Sequence, residues 1–269
     1  MIPKVIHYCW FGRGKLPYLA RKCIRSWHKF LPGYEIREWN EDNFDVRQIP
    51  YTSEAYDAGK YAFVSDYARF KILFNNGGVY FDTDVEIIRS LDDILEAGPF
   101  MGLEKDFVSS GSKANGSFAV APGLGLAANP GLGLYNKILQ AYSNRHFIKE
   151  NGALDLTTIV QITTGVLLDN GLKARPGVME IDGIRIYPKE YFCPIAYETG
   201  VSVVTSNTRT IHHFTASWWT PRQRAIRWTN NHLGKKCGYY VAFFWQPLPV
   251  VLMRLYKALI RRLKRVVGR

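Results

Sequence analysis

The segment SDYARFKILFNNGGVYFDTD, residues 65–84, decides the fold of this 269-residue chain. Its first half has the apolar spacing of a helix, which we expect to end at Asn76-Gly77-Gly78. Val79-Tyr80-Phe81 is then a short apolar strand that leads directly into Asp82-Thr83-Asp84. A helix, a glycine stop and a buried strand in succession predict an α/β sheet with helices packed on its faces.

The flanking sequence continues this alternation. Strands predicted over Lys4–Trp10 and Tyr34–Trp39 enclose a helix over Leu19–Phe30, which gives a β-α-β start. Residues 100–128 carry weaker signals, and we expect irregular strands and loops there. The remaining predicted elements are one or two helices over Tyr56–Asn75, helices over Gly131–Tyr142 and Leu156–Asn170, and strands over Ile184–Tyr187 and Thr210–Phe214.

Composition limits the class of protein and its compartment. Because 47% of the residues are hydrophobic, the chain can form a core, which excludes a disordered or fibrous protein. The net charge is +12, and seven of the basic residues lie in Arg254–Arg269, where no acidic residue occurs. The excess is mostly a property of this tail, so we expect no nucleic-acid partner. The four cysteines lack C-x-x-C spacing and no apolar signal segment precedes the first strand, which favours the reducing cytoplasm.

The C-terminal segment has its own pattern. On a helical wheel, residues 251–267 separate into an apolar side and a basic side, as in helices that lie on anionic membrane surfaces. An ordinary surface helix docked on the domain is the alternative. The uncharged stretch Cys237–Met253 is short and contains two prolines, so we expect no transmembrane helix. We therefore divide the chain into a domain over 1–235 and a basic amphipathic segment over 236–269, peripheral on the inner face of the cell membrane.

Asp82 and Asp84 are candidate catalytic and metal-binding carboxylates. Two carboxylates separated by one residue can hold Mn²⁺ or Mg²⁺ beside a diphosphate, because these cations prefer oxygen ligands. They follow a buried strand, where open α/β sheets bind ligands. Two surface aspartates at a turn are the alternative explanation.

A second polar group, Ser65, Asp66 and Arg69, lies in the apolar helix before that strand. The i, i+3 spacing of Asp66 and Arg69 places both on one face, and their apolar neighbours predict that the pair is at least partly buried. Such a pair suits the hydroxyls and phosphates of a sugar nucleotide, while an ordinary surface ion pair is the alternative.

Together these motifs resemble a known family. Ser65-Asp66-x-x-Arg69 followed by Gly77-Gly78-x-Tyr80-x-Asp82-x-Asp84 is similar to the signature of the DXD glycosyltransferases of the capsular polysaccharide synthesis and initiation-specific mannosyltransferase-like family (glycosyltransferase family 32). It resembles the clostridial glucosylating toxins more distantly. Ile2-Pro3-Lys4-x-Ile6-His7-x-x-Trp10-x-Gly12 and His212-His213-Phe214-x-x-Ser217-Trp218 fit the same family. The match is dense to about residue 95, thin over 100–205, and returns at 210–219.

The resemblance implies a GT-A type, Rossmann-like mixed sheet flanked by helices. It also implies metal-dependent transfer, with retention of configuration, of a sugar from a nucleoside diphosphate donor, UDP-sugar favoured, to a polysaccharide or lipid-linked oligosaccharide. The catalytic residues it implies are Asp66, Arg69, Asp82 and Asp84. The ligands it implies for Mn²⁺ or Mg²⁺ are Asp82, Asp84, His212 and His213, with the functional histidine left open. The donor-binding residues it implies are His7, Trp10, which stacks on the base, Ser65, Asp66, Arg69, Tyr80, Asp82, Ser217 and Trp218.

The proposed reaction builds negative charge on the departing diphosphate and oxocarbenium character on the sugar, and a bound cation stabilises the former. We find no persuasive carboxylate nucleophile, so departure and attack on one face of the sugar are preferred. A phosphatase of the haloacid-dehalogenase type also begins with a strand and D-x-D, but it expects Thr or Val where Glu86 stands. A non-enzymatic membrane-binding module explains the tail and leaves the four charged residues of the signature without a role.

Overall fold

The computed structural model describes residues 1–110, 113–195 and 202–215. Strands and helices alternate along these ranges, and the strands form a central sheet. The strands in these ranges are β1 Val5–Cys9, β2 Glu35–Trp39, β3 Gly78–Tyr80, β4 Val85–Ile87, β5 Phe100–Ser110, β6 Lys113–Val120, β7 Leu126–Ala128, β8 Met179–Ile181, β9 Ile184–Tyr187 and β10 Thr210–His212. The helices are α1 Tyr18–Phe30, α2 Pro50–Asp57, α3 Tyr61–Asn76, α4 Asp92–Glu96, α5 Gly133–Gln140, α6 Ile159–Asp169 and α7 Lys189–Phe192, with a 3₁₀ turn at Pro122–Leu124.

The main sheet is mixed, with the strand order β2-β1-β3-β7-β5-β9-β8, and β6 pairs with β5. β1 lies parallel to both of its neighbours, β2 and β3. The chain passes from β1 through α1 to β2, and then through α2 and α3 to β3 on the other side of β1. The strand order therefore reverses between β1 and β3. The carboxyl edge at such a point is where open α/β sheets bind ligands, and both Trp10 and Asp82 follow strands that end there.

Apolar clusters cover the two faces of this sheet. One cluster contains Tyr80 together with Phe70 and Leu73 of α3, and the other contains Phe81 together with Trp27 of α1. Successive residues of a strand point to opposite faces, so Tyr80 and Phe81 separate into the two clusters. By the same alternation Asp82 points to the side of α3.

The glycine pair between α3 and β3 is required by the packing around it. Gly77 and Gly78 have φ of +65° and +98°, which side-chain-bearing residues rarely adopt. A Cβ atom on Gly78 would lie 2.7 Å from the carbonyl oxygen of Val5 and 2.9 Å from Nε2 of His7. The turn therefore brings β3 directly against β1 only because no side chain intervenes.

The predicted α/β sheet with flanking helices is confirmed, and the strand predicted at Ile184–Tyr187 is found with those bounds. The one or two helices predicted over Tyr56–Asn75 correspond to α3, whereas most of α2 lies before that range and was not predicted. Residues 100–128 contain β7 and the hairpin β5–β6, whose shifts in register break the alternation that reveals a strand in a sequence. No helix in the described ranges is long and apolar enough to cross a membrane. The predicted amphipathic segment and the boundary at residue 235 lie outside the described residues.

Candidate active site

Arg69 of α3 is the centre of a buried ion cluster. Its Nη2 lies 2.8 Å from Oδ1 of Asp66 and 3.2 Å from Oδ1 of Asp82, and its Nη1 donates to Oδ2 of Asp82 at 3.3 Å. Its Nε donates to the carbonyl of Ser65 at 3.1 Å, and the guanidinium lies over the ring of Tyr80 at 5.0 Å. Arg69 is only 3% exposed, so the predicted burial of the Asp66–Arg69 pair is observed. One cation therefore orients carboxylates from a helix and from the end of a strand.

Asp66 lies on the inner side of this cluster. Burial raises the pKa of Asp66 to about 7, although Arg69 favours the ionised form and a hydrogen bond with the backbone of Ile159 acts in the same direction. A carboxyl with this pKa changes its charge near neutral pH. Asp66 therefore depends on Arg69 for its ionisation.

Asp82 lies on the outer side, with 28% of its side chain exposed. Tyr80 donates its hydroxyl hydrogen to Oδ1 of Asp82 at 3.1 Å. The backbone of Gly123 crosses against the carboxylate so closely that a Cβ atom there would overlap Oδ2 of Asp82. Asp82 is thus held by Arg69 and Tyr80 and still reaches solvent, where a ligand hydroxyl can donate to it.

Asp84 is held by residues at the end of β10 and just after it. Nε2 of His212 lies 3.0 Å from Oδ1 of Asp84, and both the backbone N–H and the hydroxyl of Thr215 donate to Oδ2 at 2.8 Å. Burial alone would raise the pKa of Asp84, but His212 and Thr215 outweigh it and hold the pKa well below its usual range. Burial likewise favours neutral His212, but Asp84 outweighs it and raises the pKa of the imidazole. The two side chains form a buried ion pair.

The structure distinguishes the two adjacent histidines, which the sequence left undecided. β10 pairs with β4 so that His212 lies opposite Val85, and its side chain faces Asp84. His213 points elsewhere, and its Nε2 lies 2.9 Å from Oε2 of Glu86. Lys22 of α1 binds the same carboxylate at 2.8 Å. His212 is therefore the histidine of the Asp84 site, and His213 belongs to a separate ion cluster.

The fit of a divalent cation can be tested on the donor atoms. In the described ranges, no group of three or more His, Cys, Asp or Glu side chains is placed to hold a metal ion. Asp84 and His212 nevertheless provide adjacent carboxylate and imidazole donors, since Nε2 of His212 lies 3.0 Å from Oδ1 of Asp84. A carboxylate suits Mn²⁺ or Mg²⁺, and imidazole nitrogen is a common metal ligand. The residues present fit a cation whose remaining ligands come from outside the chain, such as a diphosphate.

Trp10 lies at the same edge of the sheet, beyond the end of β1. It lines a depression of about 230 Å³ together with Arg13, Gly14, Glu38, Asn40 and Glu41. The indole N–H donates to the carbonyl of Gly14, which fixes the ring in the loop. An aromatic face with a polar rim suits a planar base.

His7 does not fit the predicted donor-binding role. It is fully buried, its Nδ1 accepts a hydrogen bond from the indole of Trp39 at 3.0 Å, and its Nε2 donates to the carbonyl of Gly77 at 3.0 Å. Burial lowers its pKa to about 4, so the ring is neutral at physiological pH. Because both ring nitrogens bind the protein interior, His7 ties β1 to β2 and to the end of α3. The expectation that it contacts the donor is corrected.

Of the other predicted site residues, one lies within the described part of the chain and two lie outside it. Ser65 is placed beside Arg69 and donates its hydroxyl to the carbonyl of Tyr61 at 3.2 Å, while Ser217 and Trp218 lie outside the described residues. The sequence reasoning missed Thr215 and Gly123, which contact Asp84 and Asp82. Neither residue carries a local signal, because each acts only through the tertiary fold.

Comparison with known proteins identifies a segment that contains part of this site. Residues 17–101 match the family described as the glycosyltransferase sugar-binding region containing the DXD motif. In this segment, the chain is similar to the DXD glycosyltransferases. The resemblance inferred from the sequence is thereby confirmed, and the sugar-binding region contains Asp66, Arg69, Asp82 and Asp84.

Two relatives of this chain are glycosyltransferases by name. An uncharacterized glycosyltransferase, L373, of Acanthamoeba polyphaga mimivirus is 36% identical over 106 residues, which are 37% of this chain and 42% of that protein. Inositol phosphoceramide mannosyltransferase 3 of Schizosaccharomyces pombe is 32% identical over 98 residues, 35% of this chain and 27% of that protein. The chain thus spans less than half the length of these curated relatives. Among solved structures, the galactosyltransferase LgtC with donor and acceptor sugar analogs aligns over 91% of this chain and 97% of its own, with 16% identity and a TM-score of 0.43.

Proposed function

We propose that this chain is a metal-dependent, retaining glycosyltransferase that moves a sugar from a nucleoside diphosphate sugar, UDP-sugar favoured, to a polysaccharide or lipid-linked oligosaccharide. One observation carries the proposal: within the sugar-binding region, the two aspartates of the D-x-D motif are held in different ways. Asp82 is oriented by Arg69 and Tyr80 and reaches solvent, whereas Asp84 is buried and ionised against His212. One carboxylate suits hydroxyl recognition, and the other suits a cation.

Donor recognition follows from the groups that remain accessible. The carboxylate of Asp82 has further lone pairs beyond its bonds to Arg69 and Tyr80, and these accept hydrogen bonds from ribose or sugar hydroxyls. Asp66 and Arg69 set its orientation from beneath. Trp10 offers its ring to the base at the same edge of the sheet. The donor then extends along the carboxyl ends of β1 and β3.

Asp84 would hold Mn²⁺ or Mg²⁺, and His212 would join it in its neutral form, because a protonated imidazole binds no metal. When bound, the cation supplies positive charge that stabilises the departing diphosphate. Thr215 keeps the carboxylate of Asp84 fixed through two hydrogen bonds, so the charge of this residue is preorganised. His213 and Glu86 satisfy each other and have no part in this assignment.

The ion pairs of the site favour a reaction in which the diphosphate departs from, and the acceptor attacks, the same face of the sugar. A covalent route needs a free carboxylate beneath the anomeric carbon. Asp66 and Asp82 both bind Arg69, and a carboxylate held by a guanidinium is a weaker nucleophile. Retention through a front-face reaction is therefore the mechanism that we propose.

The acceptor and the compartment are proposed from the sequence. The basic amphipathic pattern over residues 251–267 favours a peripheral position on the cytoplasmic face of the cell membrane, where lipid-linked glycans or a growing capsular polysaccharide are accessible. Deleting residues 254–269 should weaken sedimentation of the protein with anionic liposomes. Unchanged sedimentation contradicts this part of the proposal.

The reaction class is tested with a panel of UDP- and GDP-sugars. We expect Mn²⁺-dependent release of nucleoside diphosphate from one donor, abolished by a chelator, and proton NMR of the product should show the anomeric configuration of the donor. Inverted configuration contradicts retention, and turnover that is insensitive to the chelator contradicts the metal. Absence of both turnover and donor binding across the panel contradicts the transferase assignment.

A further inference from the structure

The first 34 residues concentrate positive charge. They contain seven lysines and arginines and no acidic residue, and Glu35 is the first acid of the chain. The C-terminal 16 residues hold another seven basic residues, so residues 35–253 between these two segments have a net charge of −2. The chain is therefore basic at its two ends and slightly acidic between them. The N-terminal basic segment lies within the described residues.

Helix α1 presents most of this charge on one side. Residues spaced three, four, seven and eleven positions apart share a face of a helix, and on α1 this face is exposed. The opposite side, with Ala20, Cys23 and Trp27, is buried in the core. We call the exposed side the α1 basic face. It consists of Tyr18, Arg21, Lys22, Arg25, His28 and Lys29.

Most cations of the α1 basic face lack a carboxylate partner. Lys22 binds Glu86, whereas Arg21, Arg25 and Lys29 form no ion pair with any residue in the described ranges. Arg21 donates to the carbonyl of Leu16. The helix itself contains no acidic residue. The face is thus an uncompensated positive surface, which attracts a polyanion.

Aromatic rings accompany these cations. Tyr18 is 70% exposed, and the guanidinium of Arg25 lies 6.0 Å from the centre of its ring. At the other end of the helix, the ammonium of Lys29 lies 5.1 Å from the ring of Phe30. An exposed tyrosine among cations is typical of segments at the headgroup level of a bilayer, where the ring enters the interface and the cations contact anionic lipid.

We propose that the α1 basic face docks on an anionic lipid surface. The exposed tyrosine favours a lipid surface over a nucleic acid, because it adds an interfacial anchor to the charge. The second basic segment, at the C terminus, has the same amphipathic chemistry in its sequence. The proposal does not depend on the reaction that the chain catalyses.

The test uses the full chain and vesicles of phosphatidylcholine with and without phosphatidylserine. The variant Arg21→Gln, Arg25→Gln, Lys29→Gln removes three positive charges and keeps good helix formers on the exposed side. Each basic residue near an anionic surface contributes roughly 1 kcal/mol, so we expect binding about 100-fold weaker than that of the parent. The matched control Lys149→Gln, Lys173→Gln, Arg175→Gln removes the same charge from exposed positions elsewhere and should bind within about 3-fold of the parent.

Tyr18→Ala should weaken vesicle binding by roughly 10-fold without changing its dependence on salt, because only the apolar anchor is lost. Unaltered melting temperatures of the variants establish that the fold is intact. Binding of the triple variant that equals that of the parent or of the control overturns the proposal, as does equal binding to vesicles without phosphatidylserine. Binding of the parent to single-stranded DNA or an acidic polysaccharide, but not to vesicles, also overturns it.

Discussion

Replacing Arg69 by methionine tests the electrostatic account of the site. The substitution keeps an unbranched side chain of similar length and removes the charge that Asp66 and Asp82 share. Removing one partner of a buried ion pair typically costs about 3–5 kcal/mol, because the remaining charge stays desolvated. At pH 8, we expect Arg69→Met to lower the free energy of unfolding by roughly this amount.

The cost of this substitution should depend on pH with a defined sign. The pKa of Asp66 is about 7 in the folded protein and 3.8 in the unfolded chain. Between these two values the folded state binds the extra proton, so the free energy of unfolding falls as the pH rises from about 4 to 7. Without Arg69, the pKa of Asp66 rises further, and the window extends above pH 7. The difference between parent and variant should therefore grow by as much as about 1.4 kcal/mol per pH unit above pH 7.

The assay is urea unfolding of both proteins between pH 6 and pH 9, followed by tryptophan fluorescence. The double variant Asp66→Asn, Arg69→Met is the control, because it removes the titrating group and should lose the additional slope. A difference between parent and Arg69→Met that is small and independent of pH refutes the assignment of Arg69 as the charge that ionises Asp66.

Three further predictions follow from single positions. Gly78→Ala should lower stability by roughly 3 kcal/mol in thermal unfolding, because φ is positive and the Cβ meets Val5 and His7, whereas Gly165→Ala, in open space on α6, should not destabilise. The ring of His7, with a pKa of about 4 against 6.5 in an unfolded chain, should not titrate in NMR between pH 5.5 and 8, and its contribution to stability should be lost as the pH falls from 6.5 towards 4. Gly123→Ala should raise the KM for the donor by about 10-fold or more, because its Cβ displaces the carboxylate of Asp82. Gly133→Ala, in open space, is the matched control. Equal KM values for the parent and Gly123→Ala contradict the role of Asp82.

Much of the fold is readable from local patterns. The helix, glycine stop and strand over residues 65–84 are continuous in the sequence, and each is specified by neighbours that also touch in the structure. The i, i+3 spacing predicted the Asp66–Arg69 pair, and strand alternation after β3 brings Asp82 to the same cation. These parts of the site were predictable because the elements that build them are adjacent in the chain.

The rest of the site depends on contacts between distant segments. Whether His212 or His213 faces Asp84 is decided by the register of β10 on β4, which no local pattern specifies. Thr215 donates two hydrogen bonds to Asp84, and Gly123 leaves room for the carboxylate of Asp82. Neither residue is visible in a motif. His7 belongs to a recognisable motif, yet its bonds to Trp39 and Gly77 make it a buried support of the sheet. A motif therefore indicated where residues matter but not how each one acts.

The central claim is that Asp84 is the metal-binding carboxylate of a glycosyltransferase. The most direct measurement is Mn²⁺-dependent donor turnover by the parent, by Asp84→Asn and by Asp169→Asn, an exposed carboxylate at the end of α6. We predict that Asp84→Asn loses turnover by about 100-fold or more while remaining folded, and that Asp169→Asn retains it. Turnover by Asp84→Asn at the level of the parent, with the same dependence on Mn²⁺, would contradict the account.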